Sequence, residues 1–289
     1  MARTKKPKVA LIYDFDGTLS PGNMQEYGFI QATGLDAKEF WSKITKMKEN
    51  QDASEILCYM KLMIDEAKHK QLELSKKSLK EYGKRVELFN GVLEWFDLIN
   101  KYGEQKNVKI EHYINSSGLK EIIEGTPIAK EFEGIYACSF YYSPEGAAEW
   151  PAVAVDFTAK TQFLFMINKG IKYVKDNKQV NEFKPDIERP IPFRHMIYFG
   201  DGETDVPCMK LIKQQEGKSI AVYNPNKRKK KAVAEKLVAE DRVNFVCPAD
   251  YSKEGEIYKV VTTIVDKIKS DYDFQRLLIV HEKKGNKKL

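Results

Sequence analysis

The stretch Val9-Ala10-Leu11-Ile12-Tyr13-Asp14-Phe15-Asp16-Gly17-Thr18 constrains this chain more than any other. Five apolar residues run straight into two carboxylates and a glycine. A short apolar run bounded by polar residues reads as a buried strand. Gly17 marks its unwinding, so Asp14 and Asp16 fall at the strand's C-terminal end. In open α/β sheets that edge is where ligands bind. Two carboxylates there repel each other and are poorly solvated, which a bound divalent cation relieves. Taken alone, Asp-x-Asp is a weak signal that favours a plain acidic loop after a strand, such as a helix cap.

Three further stretches change the balance. Ile110–Asn115 is apolar-rich and runs into Ser116-Ser117-Gly118. Lys160 opens the apolar, helix-like stretch Thr161–Ile167. Met196-Ile197-Tyr198-Phe199 runs into Gly200-Asp201-Gly202-Glu203-Thr204-Asp205. Strand-end acids, strand-end hydroxyls, a lysine and a second acid pair occur in that order from Asp14 to Asp205. This resembles the haloacid dehalogenase superfamily of hydrolases, in its phosphoserine-phosphatase-like branch. Its signature is Asp-x-Asp-x-Thr, then Ser/Thr, then Lys, then Gly-Asp-x-x-x-Asp.

The resemblance implies roles. Asp14 would be the nucleophile that forms an aspartyl-phosphate. Asp16 would be the general acid/base; the family's dehalogenases lack an acid there, so Asp16 favours phosphate esters. Asp14, the backbone carbonyl of Asp16 and Asp201 take the family's magnesium-ligand positions, all hard oxygen donors. Asp205 would be a further ligand or orient a bound water. Ser116 aligns with the phosphate-binding hydroxyl, with Ser117 as an alternative contact or a cap. Ser117 and Gly118 read as opening a helix over Leu119–Ile123, whose first N–H groups favour a phosphate. Lys160 would pair with Asp14 and a phosphate oxygen.

Between the first and second motifs the pattern turns helical. Asp36 caps a stretch with Phe40, Trp41, Ile44 and Met47 at helical spacing, and Ser54 caps a second from Ile56 to Ile64. A third runs from Ser75 or Ser78 towards Tyr82 and ends at Gly83. The expected division is a catalytic core, 1–20 and 88–289, with a helical cap, 21–87, inserted after the first motif. After Asn115, Tyr136–Tyr142 and Ala152–Phe157 flank Ser143-Pro144-Glu145-Gly146, which predicts a β-hairpin. Thr158 is the expected cap of the helix carrying Lys160. Asn177–Pro192 reads as a surface loop, and Glu282–Leu289 as a frayed basic tail. Strands alternating with helices predict a three-layer, Rossmann-like α/β fold with a mostly parallel sheet.

Composition narrows the function classes. Hydrophobic residues at 42% support a sizeable core, and no stretch approaches a membrane span. The net charge of +6 favours anionic ligands without itself calling for nucleic acid. The run Lys227-Arg228-Lys229-Lys230-Lys231 lacks aromatic residues for base stacking and reads as a solvated helix start. Cys58, Cys138, Cys208 and Cys247 show no Cys-x-x-Cys spacing, which suits a reduced, cytoplasmic compartment. Cys208, close behind the second acid pair, carries a minor option of redox sensitivity.

The expected activity is magnesium-dependent hydrolysis of a small phosphorylated metabolite. Rivals are a phosphotransferase or mutase using the same intermediate, and a non-catalytic phosphate-binding regulator. Phosphoserine is one candidate substrate. However, the insert has no arginine before Arg85, and Glu26 matches the spacing of that activity's early cap acid poorly. Lys43, Lys46 or Lys61 could bind an anion, without bidentate geometry.

Overall fold

The computed structural model describes residues 6–185 and 188–285. Seven strands form one sheet: β1 (Lys8–Tyr13), β2 (Lys109–Leu119), β3 (Phe132–Tyr142), β4 (Ala148–Val153), β5 (Met196–Gly200), β6 (Lys218–Tyr223) and β7 (Phe245–Pro248). Their spatial order is β4-β3-β2-β1-β5-β6-β7, and only β4 runs antiparallel to its neighbour. β1 is central and apolar on both faces, as a strand covered by helices on both sides must be. Its register sets the site: Tyr13 lies opposite Ile114 of β2 and Phe199 of β5. The residues that follow each of these three therefore emerge together at one sheet edge.

The insertion after β1 carries α1 (Phe29–Thr33), α2 (Ala37–Gln51), α3 (Glu55–His69) and α4 (Lys76–Gly83). Asp36 accepts from Glu39 N (2.7 Å) and Ser54 from Leu57 N (3.5 Å). Ser75 and Ser78 form a reciprocal capping box, so three hydroxyl or carboxylate caps start three helices. The insertion is closed at its base by Phe89 N–H donating to Leu19 O (2.9 Å). It does not stand free. α3 packs on β4, Ala148 N–H donates to Leu74 O, and α4 leans on the short helix α6 (Lys120–Ile123).

The remaining helices are α5 (Val92–Gln105), α7 (Ala159–Lys169), α8 (Val206–Gln214), α9 (Arg228–Ala239) and α10 (Glu256–Gly285). α5 and α10 pack together; α7 and α8 pack together, with α8 and α9 over β6. Right-handed crossovers put these two groups on opposite faces, which completes the three layers. Beneath the end of β1 lies a buried polar chain. Trp95 Nε1 donates to Tyr13 Oη (2.8 Å), which contacts His112 Nδ1 (3.1 Å), and His112 Nε2 contacts Asn100 Oδ1 (3.1 Å).

Several expectations need correction. Ser117 and Gly118 do not open a helix: β2 runs to Leu119 and α6 follows it. The pairing of β2 with β3 slips between Asn115 and Leu119, so Ser116-Ser117-Gly118 is an irregular strand end, a device that re-aims side chains beside active sites. Thr158 makes no capping bond. The second hairpin strand is Ala148–Val153, earlier than expected, because the turn closes tightly with Gly146 N–H on Ser143 O. The expected loop begins in a 3-10 segment, Val174–Asn181; Asp186 and Ile187 within it lie outside the described residues. The helix α10 continues to Gly285, where the basic tail was expected to fray; 286–289 lie outside the described residues. Among the described residues no helix is long and apolar enough to cross a membrane.

Candidate active site

Asp14 leaves β1 with its N–H still bonded to Phe199 O (2.8 Å), so the backbone that carries it is held by the sheet. Three residues on, the chain turns at Gly17 with φ +78°, a conformation L side chains rarely adopt. A Cβ at that position would lie 2.3 Å from Asp201 Cγ. Glycine thus lets the first motif and the end of β5 touch. Asp16 Oδ1 accepts from Met24 N–H (2.9 Å), which anchors it to the start of the insertion.

Lys160 is the hub. It is fully buried in the first turn of α7, and its Nζ lies 2.7 Å from Asp205 Oδ1 and 3.2 Å from Asp14 Oδ1. Asn115 Nδ2 donates to Lys160 O (3.0 Å) and so ties that turn to the end of β2. Tyr198 Oη also donates to Asp205 Oδ1 (2.7 Å). Asp201 instead pairs with Lys230 Nζ at 2.9 Å. Ser116 Oγ accepts from Gly118 N–H (3.1 Å), while Ser117 Oγ is buried with no partner. Seven of the expected site residues line one cleft or lie directly beneath it: Asp14, Asp16, Ser116, Ser117, Gly118 and Asp201 line it, and Lys160 lies below. Asp205 sits deeper, behind Lys160.

The electrostatics follow from burial. Burial and the neighbouring charge of Asp205 push the Asp14 carboxyl up to about 7, against the pull of Lys160. Burial raises Asp16 too, with the Asp14 charge adding to it, and raises Asp201 against the pull of Lys230. For Lys160 burial favours the neutral form, but the charges of Asp14 and Asp205 outweigh it and the ammonium is held. Carboxylate oxygens of Asp14, Asp201 and Asp205 lie within 4.8 Å of one another. The donor set is all hard oxygen and carries more negative charge than Lys160 offsets, which fits a divalent cation such as magnesium. Asp205 Oδ1 already accepts two bonds, so Asp14 and Asp201 are the freer donors.

Sequence reasoning missed Lys230, Tyr198 and Asn115. Lys230 belongs to the run read as a solvated helix start; α9 does start there, but this lysine turns into the site. Its signal was position: the run follows β6, whose end shares the sheet edge with β1 and β5. Lys43, Lys46 and Lys61 do not line the cleft. Lys43 pairs with Glu66 and Lys61 with Asp65. Cys208 is buried and its thiol is pushed up to about 12 by burial, which opposes redox sensing. All four cysteines are free and buried.

No family model matches the chain. An uncharacterized protein of Borreliella burgdorferi is 30% identical over 277 residues, covering 86% of this chain and 94% of that protein. Solved structures with similar folds include a probable phosphoserine phosphatase from Vibrio cholerae: TM-score 0.55, 11% identity, covering 92% of this chain and 67% of that one. A substrate-bound phosphoserine phosphatase complex gives TM-score 0.52 at 13% identity, covering 90% and 99%. A HAD family hydrolase from Salmonella enterica serovar Typhi gives 0.51 at 18%, covering 79% and 67%.

Proposed function

We propose that this chain, which belongs to one family with the Borreliella burgdorferi protein and has the haloacid dehalogenase fold in its phosphoserine-phosphatase-like form, is a magnesium-dependent phosphatase of a small phosphomonoester. The observation that carries the reading is Asp14 at the tip of the central strand, 3.2 Å from a buried lysine and grouped with Asp201 and Asp205 under a cleft of about 360 Å³.

In this reading Asp14 attacks phosphorus in line, the ester P–O bond breaks, and the leaving alkoxide takes a proton from Asp16. Asp16 then removes a proton from water, which attacks the phosphoryl group and frees phosphate and the Asp14 carboxylate. Ser116, Ser117 N–H or Oγ, and Gly118 N–H once released from Ser116 Oγ would take the phosphoryl oxygens at the irregular end of β2. Lys160 holds Asp14 in place and offsets charge as it accumulates. Asp14, Asp201 and the Asp16 carbonyl would hold magnesium, which when bound supplies further positive charge against the phosphoryl oxygens. Residues 21–87 form the cap over a core of 1–20 and 88–289. The free, buried cysteines support a reducing, cytoplasmic setting.

The test is the division of labour between the two acids. With an activated aryl phosphate, whose leaving group needs no proton, Asp16→Asn should phosphorylate Asp14 and accumulate the intermediate. Asp14→Asn should not. Rapid acid quench and intact mass read one added phosphoryl group on the first variant and none on the second. Normal turnover by Asp14→Asn would overturn the reading.

A further inference from the structure

We propose that the leaving alcohol of the substrate carries a positive charge, so that the natural ester is the phosphate of a short amino alcohol; this rests on the phosphatase reading above. The half of the cleft facing the sheet edge holds the reacting phosphate. The other half is built by the insertion: Asn23, Gln25, Trp41, Ile56 and Tyr59, with Glu55 at the rim. No lysine or arginine lines the cleft among the described residues. Lys230 lies on the sheet-edge side and is engaged with Asp201; Lys48 is engaged with Glu55 at the surface. A second anionic group on the leaving alcohol therefore meets no counter-charge.

A cation does meet complementary groups. Trp41 and Tyr59 form an aromatic corner, ring centroids 6.4 Å apart at 68°. Their polar tips are tied back, Tyr59 Oη to Ser117 O (2.8 Å) and Trp41 Nε1 to Glu26 Oε1 (2.8 Å). The indole's bond to a carboxylate pushes electron density into its ring and strengthens the ring's attraction for a cation. The Glu26 carboxylate also accepts from Asn23 Nδ2 (2.7 Å) and has no ion-pair partner among the described residues. Its negative charge is thus unneutralised behind the aromatic wall. Gln25 adds an independent sign that a ligand belongs here. It lines the cleft, is 2% exposed, and its Oε1 has no hydrogen-bond partner. Buried polar groups are almost always bonded, and this unpaired oxygen presents the negative end of its carbonyl dipole to a cationic group of the bound ester.

The test compares choline phosphate with 3,3-dimethylbutyl phosphate, which has the same shape without the charge, under magnesium. Hydrolysis of p-nitrophenyl phosphate is measured alongside. The expected result is at least a tenfold higher kcat/KM for choline phosphate than for the neutral isostere, carried mainly by KM. Trp41→Leu should collapse that ratio towards one. Glu26→Gln, which keeps both hydrogen bonds and loses only the charge, should reduce it severalfold and serves if Trp41→Leu does not fold. Turnover of all three esters with a ratio near one, or preference for an anionic ester such as glycerol 3-phosphate, overturns the inference and leaves the phosphatase reading standing. Failure to hydrolyse any of the three, p-nitrophenyl phosphate included, overturns the phosphatase reading and the inference with it.

Discussion

Lys230 Nζ lies 2.9 Å from Asp201 Oδ2, so the first turn of α9 places a cation on a carboxylate that also faces Asp14. The two residues come from different strand ends, β5 and β6, and meet because those strands are neighbours in the sheet. The pair is half-exposed on the lysine side, which limits its strength.

That relationship predicts a metal effect. Lys230 competes with magnesium for Asp201, and partly exposed ion pairs are worth about 0.2–1 kcal/mol. Lys230→Met should therefore lower the magnesium concentration for half-maximal activity by roughly 1.4- to 5-fold. A magnesium titration of turnover checks this. A raised requirement would mean that Lys230 instead orients Asp201 for the metal.

Lys160 should matter for folding as well as for activity. It is fully buried between Asp14 and Asp205. Removing one partner of a buried pair leaves uncompensated charge and costs about 3–5 kcal/mol. Lys160→Met should lose turnover and unfold at a clearly lower urea midpoint in chelator. Unchanged stability would show that the two carboxylates are solvated or protonated without it.

Gly17→Ala should disable the site with little effect elsewhere. The position has φ +78°, and the new Cβ would overlap Asp201 Cγ at 2.3 Å. Turnover should fall by at least an order of magnitude, since misplacement of about 1 Å costs roughly 100-fold. The far-ultraviolet circular dichroism should remain that of the parent. Full activity would mean that the turn and Asp201 adjust freely.

His112 predicts a pH dependence of stability. Burial pushes its imidazole down to about 3, while the unfolded chain keeps the ordinary imidazole value of 6.5. Between those values the unfolded chain binds a proton that the folded chain does not. Stability from this group is therefore present above pH 6.5 and is lost as pH falls, by at most about 1.4 kcal/mol per unit. His195, pushed down to about 4, acts in the same direction. Urea unfolding of the parent and of His112→Gln between pH 7 and 5 should show a shallower decline for the variant. Parallel declines would refute the assignment.

Much of this molecule was legible along the chain. The apolar run ahead of Asp14 specified a strand buried on both faces, because only a central strand can hide so many consecutive apolar side chains. Asp36, Ser54 and Ser75 marked helix starts, because a cap satisfies N–H groups within three residues. The order of four motifs pointed to one sheet edge, since parallel strands deliver all their ends to the same side. What sequence could not supply was contact between separate strand ends. The bond from Lys230 to Asp201, the hold of Tyr198 on Asp205 and the corner of Trp41 and Tyr59 depend on strand order and on helix docking. Ser117 and Gly118 were misread for the same reason. Their local pattern allows a helix start, and only pairing with β3 keeps the chain extended to Leu119. Local chemistry determined the elements and the candidate acids; the tertiary structure decided which charges face each other, because burial and distance are properties of the packed sheet.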